Sequence, residues 1–128
     1  MKLLLDTHAF LWLVEGSPNL SVVAQAAIAD PANECFLSVG SVWELVIKTG
    51  SGKLILLDPV DVFVRRWTAT YQLALLPIET PHVLAVGRLP DHHRDPFDRI
   101  LIAQTLVEGM TLLSADASIK PYAVPILW

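Results

Sequence analysis

The stretch that decides the fold is Lys2-Leu3-Leu4-Leu5-Asp6, a short apolar run that ends in a carboxylate. Its three leucines do not alternate with polar residues, which is typical of a strand covered on both faces. We therefore predict a buried strand over residues 2–6. In parallel α/β folds, ligands bind beyond the carboxyl ends of the strands, so Asp6 marks the edge where a site is expected.

Outward from this strand, apolar runs alternate with helix-forming segments along the whole chain. The other strands are predicted at residues 34–37, 73–78, 111–114 and 124–127. Helices are predicted from Ala9 to Glu15, from the Ser21 cap to Asp30, from Ser38 or Ser41 to Thr49, from Asp58-Pro59 to Tyr71, from Thr80-Pro81 to Gly87, and from Asp95-Pro96 to Glu108. This alternation predicts an α/β fold, a three-layer α/β/α sandwich around a parallel sheet, with residues 1–128 as a single domain.

The composition is apolar for a soluble protein, with 53% hydrophobic residues and a mean hydropathy of +0.50. No stretch approaches the roughly 18 apolar residues that a spanning helix needs. We expect a cytoplasmic protein, without a membrane anchor, that buries part of its surface against a partner. Cys35 is the only cysteine and lies in an apolar run, so we expect a buried thiol rather than a disulfide or a zinc site.

Four acidic residues are placed where they can converge at one edge of the sheet. Asp6 ends the first strand, Asp116 follows the fourth, Glu44 lies in the first or second turn of its helix, and Asp98 follows the Asp95 cap by three residues. Two carboxylates about 4 Å apart repel by roughly 4 kcal/mol at an effective dielectric near 20. Convergence therefore predicts a hard divalent cation, Mg²⁺ or Mn²⁺, which can activate a water and bind a phosphodiester.

Structural roles compete with this interpretation. Asp6 and Asp116 can each cap the helix that follows, and Asp95 before a proline is itself a capping pattern. Lys48 follows Glu44 by four residues, which is the spacing of a helix-surface ion pair.

Asp98 is harder to explain as ordinary surface, because its helix is apolar nearly all round, although the helix dipole also favours an acid there. The net charge, 9 − 13 = −4, is unusual for a nucleic-acid-binding protein. The four acids alone would supply it and leave the remaining surface neutral.

The chain has three histidines near these acids. His92 and His93 lie in a polar loop with Arg94, where we expect them to face RNA or to be structural rather than catalytic. His8 follows Asp6 by two residues, so it would orient a water, a phosphate or Asp6 itself.

Four segments resemble, in order and approximate spacing, the motifs of PIN-domain toxins of the VapC type. They are Leu5-Asp6-Thr7-His8-Ala9-Phe10-Leu11-Trp12, Ser41-Val42-Trp43-Glu44-Leu45-Val46-Ile47-Lys48, His93-Arg94-Asp95-Pro96-Phe97-Asp98-Arg99-Ile100-Leu101-Ile102-Ala103-Gln104 and Leu112-Leu113-Ser114-Ala115-Asp116. The resemblance covers essentially the whole chain. It implies a parallel sheet of about five strands between helices and a Mg²⁺- or Mn²⁺-dependent endoribonuclease.

The resemblance also assigns residues by motif. The acidic quartet of the family, which binds the metal and carries catalysis, corresponds to Asp6, Glu44, Asp98 and Asp116. Thr7 and Ser114 match positions that often carry hydroxyls beside the site, and His8 stands where many PIN domains have asparagine. The third motif contains two acids, of which Asp98 is favoured as the ligand and Asp95 comes second.

The resemblance further implies partners. VapC-type toxins usually form homodimers, belong to type II toxin–antitoxin systems and are silenced by a VapB-type antitoxin that covers the acidic groove, in some cases within larger assemblies. We expect a basic antitoxin side chain among the carboxylates, because it would replace the cation. The substrate would be RNA, with Lys48, Arg94 and Arg99 as candidate phosphate contacts.

Three other functions fit parts of the sequence. A haloacid-dehalogenase-type phosphatase with Asp6 as nucleophile would need an acid at position 8, which is His8. A receiver-like phosphoacceptor domain fits Lys120-Pro121-Tyr122 superficially, but the first strand offers only one acid. The third alternative is a PIN fold that binds RNA or protein without cleaving.

Overall fold

Strands and helices alternate along the chain as predicted. The computed structural model describes residues 1–128. The strands are β1 (Lys2–Leu5), β2 (Glu34–Ser38), β3 (Ala74–Leu76), β4 (Thr111–Leu113) and β5 (Ile126–Leu127). The α-helices are α1 (Thr7–Glu15), α2 (Val22–Ala29), α3 (Val39–Gly50), α4 (Val60–Thr70), α5 (Thr80–Val86) and α6 (Pro96–Glu108), and a 3₁₀ helix spans Ala117–Ile119. None of the helices has both the length and the apolar character that crossing a bilayer requires.

All five strands belong to one parallel sheet in the order β3-β2-β1-β4-β5. β1 lies at its centre, and Leu3, Leu4 and Leu5 are fully buried, which confirms the prediction for the opening run. From β1 the chain first builds β2 and β3 on one side and then crosses to β4 and β5 on the other. The strand order therefore reverses between β1 and β4, and the carboxyl edge at such a point is where open α/β sheets bind ligands.

Two separate hydrophobic cores cover the two faces of the sheet. Leu3 and Leu5 of β1 pack with Phe10 of α1 in one core. Leu4 points to the opposite face and packs with Ile102 of α6 in the other. Successive residues of a strand point to opposite faces, so an uninterrupted leucine run is what a doubly covered strand requires. The three-layer sandwich is thereby confirmed.

Two helix starts differ from their predicted capping residues. The cap of α4 is Pro59, whose backbone is still extended, so Asp58 lies outside the helix and bonds to Arg66 at 2.8 Å instead. The cap of α5 is Glu79 rather than Thr80, because Glu79 is extended and its N–H donates to Nδ1 of His82 at 3.0 Å. In both cases the helix begins one residue away from the predicted start, so Pro59 is the cap rather than the first residue of α4, and Pro81 is the second residue of α5 rather than the first.

Candidate active site

The strands β1 and β4 bring two of the predicted acids to one place. Asp6 directly follows β1, and its N–H donates to the carbonyl of Leu113, the last residue of β4, at 3.1 Å. Ser114 and Asp116 follow immediately, with the Asp116 N–H donating to Ser114 Oγ at 3.1 Å. At the point where the strand order reverses, Asp6 therefore lies at the end of β1 and Asp116 lies just beyond the end of β4.

Asp6 is both a helix cap and part of this acidic edge. Its Oδ1 accepts the Ala9 N–H at 2.7 Å, so it caps α1, and the residue is 5% exposed. Burial raises the pKa of Asp6 above its ordinary value, while bonds from Ser114 and the Ala9 N–H lower it in part. Asp116 adds a further upward contribution by charge repulsion. The capping role and the proposed ligand role are therefore compatible in one side chain.

The closest group of potential ligands joins α6 to the segment after β4. Ligand atoms of His93, Asp98 and Asp116 all lie within 4.8 Å of one another, and we call these residues the His93 cluster. Within it, Nε2 of His93 lies 2.7 Å from Oδ2 of Asp98. The cluster combines two carboxylates and one imidazole, the ligand types found at divalent-cation sites.

The two carboxylates of the cluster titrate differently. Burial raises the pKa of Asp98 to about 6, against the hydrogen bond from His93, with Asp95 and Asp116 adding repulsion. Partial burial of Asp116 also acts upward, but bonds from the Ser118 hydroxyl and N–H outweigh it and lower the pKa of Asp116. The contrast follows from burial, hydrogen bonding and charge, because Asp98 is the more buried and is repelled by two carboxylates, whereas His93 and His8 lower the pKa of Asp116.

Glu44 stands apart from the His93 cluster. It is 4% exposed, with Oε1 2.6 Å from the Thr7 hydroxyl and Oε2 2.6 Å from Nζ of Lys48. The Thr7 hydroxyl also lies 2.9 Å from Oγ of Ser41. The predicted helix-surface ion pair thus exists, and Thr7 connects Glu44 to the chain directly beside Asp6. The structure does not bring Glu44 into contact with the other three acids.

Asp95 starts α6 as predicted. Its Oδ1 accepts the Phe97 N–H at 2.9 Å and lies 3.5 Å from the Asp98 N–H, and Pro96 is the first helical residue. α6 then ends at Glu108, with Gly109 in the left-handed region at a φ of 65°. By capping α6, Asp95 orients the first turn of the helix, which contains Asp98. Asp95 itself lies beside the His93 cluster.

Arg99 is engaged inside the protein. Its guanidinium donates to the carbonyls of Pro90 at 2.9 Å and Val86 at 3.1 Å and to the hydroxyl of Tyr122 at 3.1 Å, with the carbonyls of Leu89 and His93 at 3.4 Å. Its side chain is 13% exposed. Arg99 therefore does not fit its predicted role as a phosphate contact for RNA. The five-acceptor arrangement instead holds the loop that carries His93.

His93 is the site residue that sequence reasoning undervalued. The sequence predicts that it faces RNA or is structural, and in the structure its ring bonds to Asp98 and lies among the three potential ligands that are closest together. Its position at the start of the third motif was the available signal. The loop conformation that turns the ring inward depends on Arg99, and no local pattern predicts that contact.

His8 lies on the exposed side of the same edge. With Asp6, Trp12 and Asp116 it lines an open pocket of about 230 Å³, and its ring lies 5.7 Å from that of Trp12. The electrostatic effect of His8 lowers the pKa of Asp6 and the pKa of Asp116. His8 is thus placed as expected, near Asp6 and accessible from solvent.

A second depression is lined by three cationic side chains. Lys48, Lys53 and Arg94 line an open groove of about 470 Å³, together with Glu44 and Asp95. We call it the basic groove. It adjoins two of the motif acids, which places cationic side chains beside the carboxylates despite the negative net charge.

The donor set fits a hard divalent cation. Asp6 and Asp98 both have raised pKa values because burial leaves their charge poorly solvated, a situation that a bound cation reverses. Carboxylate oxygens with a single imidazole suit Mg²⁺ or Mn²⁺ better than thiophilic metals, and the only cysteine, Cys35, is buried in a core. Fold and site together define an α/β domain with a carboxylate-rich site at the switch point of a parallel sheet.

Comparison with known families agrees with this description. Residues 3–124 match the model of the family described as PIN domain. The chain therefore belongs to the PIN domain family, and the receiver-like and dehalogenase-type alternatives are wrong. No curated protein matches the sequence.

Solved structures show the same fold at low sequence identity. A chain of VapBC2 from Rickettsia felis, solved bound to a DNA fragment from the promoter, is 12% identical with a TM-score of 0.74, covering 98% of this chain and 97% of that one. FitAcB from Neisseria gonorrhoeae is 20% identical with a TM-score of 0.69, covering 97% and 95%. VapBC-1 from nontypeable Haemophilus influenzae is 15% identical with a TM-score of 0.66, covering 98% and 96%.

Proposed function

We propose that this chain is a divalent-metal-dependent endoribonuclease and the toxin component of a type II toxin–antitoxin pair. The observation that carries the proposal is the convergence of Asp6, Asp98 and Asp116 at the switch point of the sheet. The similarity in fold to chains of VapBC complexes supports the toxin assignment.

In this proposal Asp6, Glu44, Asp98 and Asp116 hold Mg²⁺ or Mn²⁺. When bound, such an ion lowers the pKa of a water and neutralises charge on a phosphodiester. Lys48 neutralises Glu44 in the ion-free protein, from 2.6 Å away. Ser114 and Thr7 donate to the carboxylates and fix their orientation, as outer partners of metal ligands do.

The basic groove supports RNA as the substrate. Lys48, Lys53 and Arg94 would contact phosphates there, because such contacts position a nucleic acid without reading its sequence. The groove adjoins Glu44 and Asp95, so a strand lying in it passes beside the acidic edge. Arg99 has no part in this interface.

The proposal includes protein partners in the cytoplasm. A VapB-type antitoxin would cover the site and place a basic side chain among the carboxylates, where it substitutes for the cation. A homodimer would bury the apolar face of α3, on which Val39, Trp43, Val46 and Ile47 are exposed. Light scattering of the purified chain measures the oligomer directly, and a monomer at all concentrations would contradict the dimer.

The test uses the purified full chain and total cellular RNA with Mg²⁺, with Mn²⁺ or with excess EDTA. Asp6→Asn and Asp98→Asn keep side-chain shape and remove one ligand charge each, so we expect cleavage to fall by about 100-fold or more. Asp61→Asn is the matched control, because that carboxylate is 72% exposed on α4 and pairs only with Arg65. Cleavage that survives EDTA or either ligand substitution would contradict the proposal.

If RNA stays intact in every arm while Mn²⁺ raises the Tm of the parent and not of the two ligand variants, the metal site stands. The alternative of a PIN-fold module that binds without cleaving would then be favoured. If the parent shows neither RNA cleavage nor a rise in Tm with Mn²⁺, the proposed metal site is contradicted as well.

A further inference from the structure

His93 is the only nitrogen donor in the group of potential ligands that lie closest together. Its Nε2 lies 2.7 Å from Oδ2 of Asp98, and ligand atoms of His93, Asp98 and Asp116 are mutually within 4.8 Å. Atoms bound to one cation at about 2.1 Å lie roughly 3 to 4 Å apart. Small side-chain rotations would therefore bring all three onto one ion.

The imidazole is held in place rather than free in solvent. The His93 side chain is 25% exposed, and its one hydrogen bond is the one to Asp98. Its backbone carbonyl lies 3.4 Å from the Arg99 guanidinium and 3.5 Å from the Tyr122 hydroxyl. Both contacts hold the backbone of His93, and the ring nitrogen Nε2 is directed at Asp98.

We propose that His93 is a direct ligand of the divalent cation and gives the site a preference for Mn²⁺ over Mg²⁺; this rests on the proposed metal-dependent function. Mg²⁺ favours oxygen ligands in a near-ideal octahedron and loses its waters reluctantly. Mn²⁺ also favours oxygen ligands and has the lowest affinity among the divalent first-row transition metals, but as a transition-metal ion it binds an imidazole nitrogen more readily than the harder Mg²⁺ does. One nitrogen among carboxylates therefore favours Mn²⁺.

The competing role for His93 is that of a partner that only orients Asp98 by a hydrogen bond. Outer partners of metal ligands commonly change metal affinity by about 10- to 100-fold. In that role His93 would orient Asp98 equally well for either ion. Substitution of His93 would then lower the affinities for Mg²⁺ and Mn²⁺ by the same factor. Direct coordination predicts that affinity for Mn²⁺ falls more than affinity for Mg²⁺. It also predicts a hyperfine interaction between Mn²⁺ and the coordinating nitrogen.

The test is electron spin echo envelope modulation of Mn²⁺ bound to the full chain, a readout independent of catalysis. We expect ¹⁴N modulation in the parent, replaced by a ¹⁵N pattern when histidine alone is labelled. His93→Gln should lose it and weaken Mn²⁺ binding by about 10-fold or more, with Mg²⁺ binding changed much less. His92→Gln and His8→Gln should keep the signal, since the His92 ring packs on Tyr122 and His8 lies in the outer pocket.

Labelling makes the result independent of whether a variant folds. Absence of nitrogen modulation in the Mn²⁺-loaded parent would overturn the inference, as would its loss in His8→Gln alone or an equal weakening of both ions in His93→Gln. If metal-dependent RNA cleavage persists while no nitrogen signal exists, the inference is wrong and the proposed function stands. A parent chain that binds neither ion contradicts both.

Discussion

Asp98 shows how one side chain couples folding, protonation and metal binding. Burial raises the pKa of Asp98 to about 6 from the ordinary 3.8, even though His93 donates to it. The folded protein therefore holds this proton more tightly than the unfolded chain does. A cation and the proton compete for the same carboxylate, so both should respond to pH in the same window.

At the residue scale, we predict that the metal-free protein loses stability as pH rises from about 4 to about 6. The unfolded chain ionises Asp98 first, so this contribution to the free energy of unfolding falls across that window and then levels off. Thermal melts in EDTA should show a shallower fall for Asp98→Asn. The stabilisation by Mn²⁺ should grow across the same window in the parent. Identical pH profiles for Asp98→Asn and the control Asp61→Asn would contradict this.

A second prediction concerns Lys48, whose ammonium group pairs with Glu44. Lys48→Gln leaves the buried Glu44 carboxylate without the ammonium that lies 2.6 Å away. Because Lys48 is more than a third exposed, we expect a loss of about 1 kcal/mol in EDTA. If Glu44 is a ligand, saturating Mn²⁺ should recover much of that loss, as thermal melts would show. An unchanged deficit in Mn²⁺ would argue that Glu44 does not bind the ion.

At the element scale, α3 and α6 approach each other at a glycine. A Cβ on Gly40 would lie 3.0 Å from Cγ2 of Ile100 and 3.2 Å from Oγ of Ser38, which caps α3. These helices carry Glu44 and Asp98 respectively. The separation of the two acids therefore depends on how closely the helices pack.

We predict that Gly40→Ala costs about 1 to 3 kcal/mol, because the methyl group overpacks a filled space. RNA cleavage should fall at temperatures where the protein is still folded, since the Ile100 side chain of α6 and the Ser38 cap of α3 must move to admit the methyl group. Gly50→Ala is the matched control, because it lies at the end of the same helix with open space at its Cβ. Melting curves and cleavage rates measure both effects, and equal behaviour of the two variants would count against this explanation.

Arg99 makes most of the hydrogen bonds between α6 and the loop that precedes it. Arg99 donates to carbonyls and a hydroxyl with a planar, five-donor guanidinium. We predict that Arg99→Lys speeds amide exchange in residues 88–94 and weakens Mn²⁺ binding, because one ammonium cannot reach these acceptors. Arg88→Lys, a change at an exposed position, is the control. Unchanged exchange in Arg99→Lys would show that the loop is ordered by other contacts.

At the scale of the whole molecule, charge is distributed unevenly. The chain has a net charge of −4, yet Lys48, Lys53 and Arg94 share one groove. Binding to RNA should therefore be confined to that groove and weaker than for a basic protein. A limited number of phosphate contacts implies a limited dependence on salt.

We predict a slope of about −2 for log K against log[salt], measured in EDTA with a single-stranded RNA, because three phosphate contacts contribute roughly 0.7 each. Lys53→Gln should reduce the magnitude of this slope by about 0.7. Lys2→Gln is the control, since Lys2 begins β1 and so lies at the opposite edge of the sheet from the acids. A similar reduction in both variants would disprove a localised groove.

The sequence by itself determined the architecture and located each element to within about two residues at either end. Doubly buried strands and capped helices are specified by neighbours in the chain, as at the leucines of β1 and at Asp95, Pro96 and Gly109 around α6. Spacing also placed Asp6 and Asp116 at the same sheet edge. These features depend on contacts within a few residues or on the parallel arrangement of the strands, and both leave a pattern in the sequence.

Only the tertiary structure decided which site residues meet. Whether His93 reaches Asp98, whether Arg99 faces RNA or the loop, and whether Glu44 bonds to Thr7 depend on side chains brought together from separate elements. Such contacts are set by how loops and helices pack in three dimensions. Such contacts produce neither a hydrophobic periodicity nor a helix-capping pattern in the sequence. The reason is that the whole fold positions the partners, rather than their neighbours in the chain.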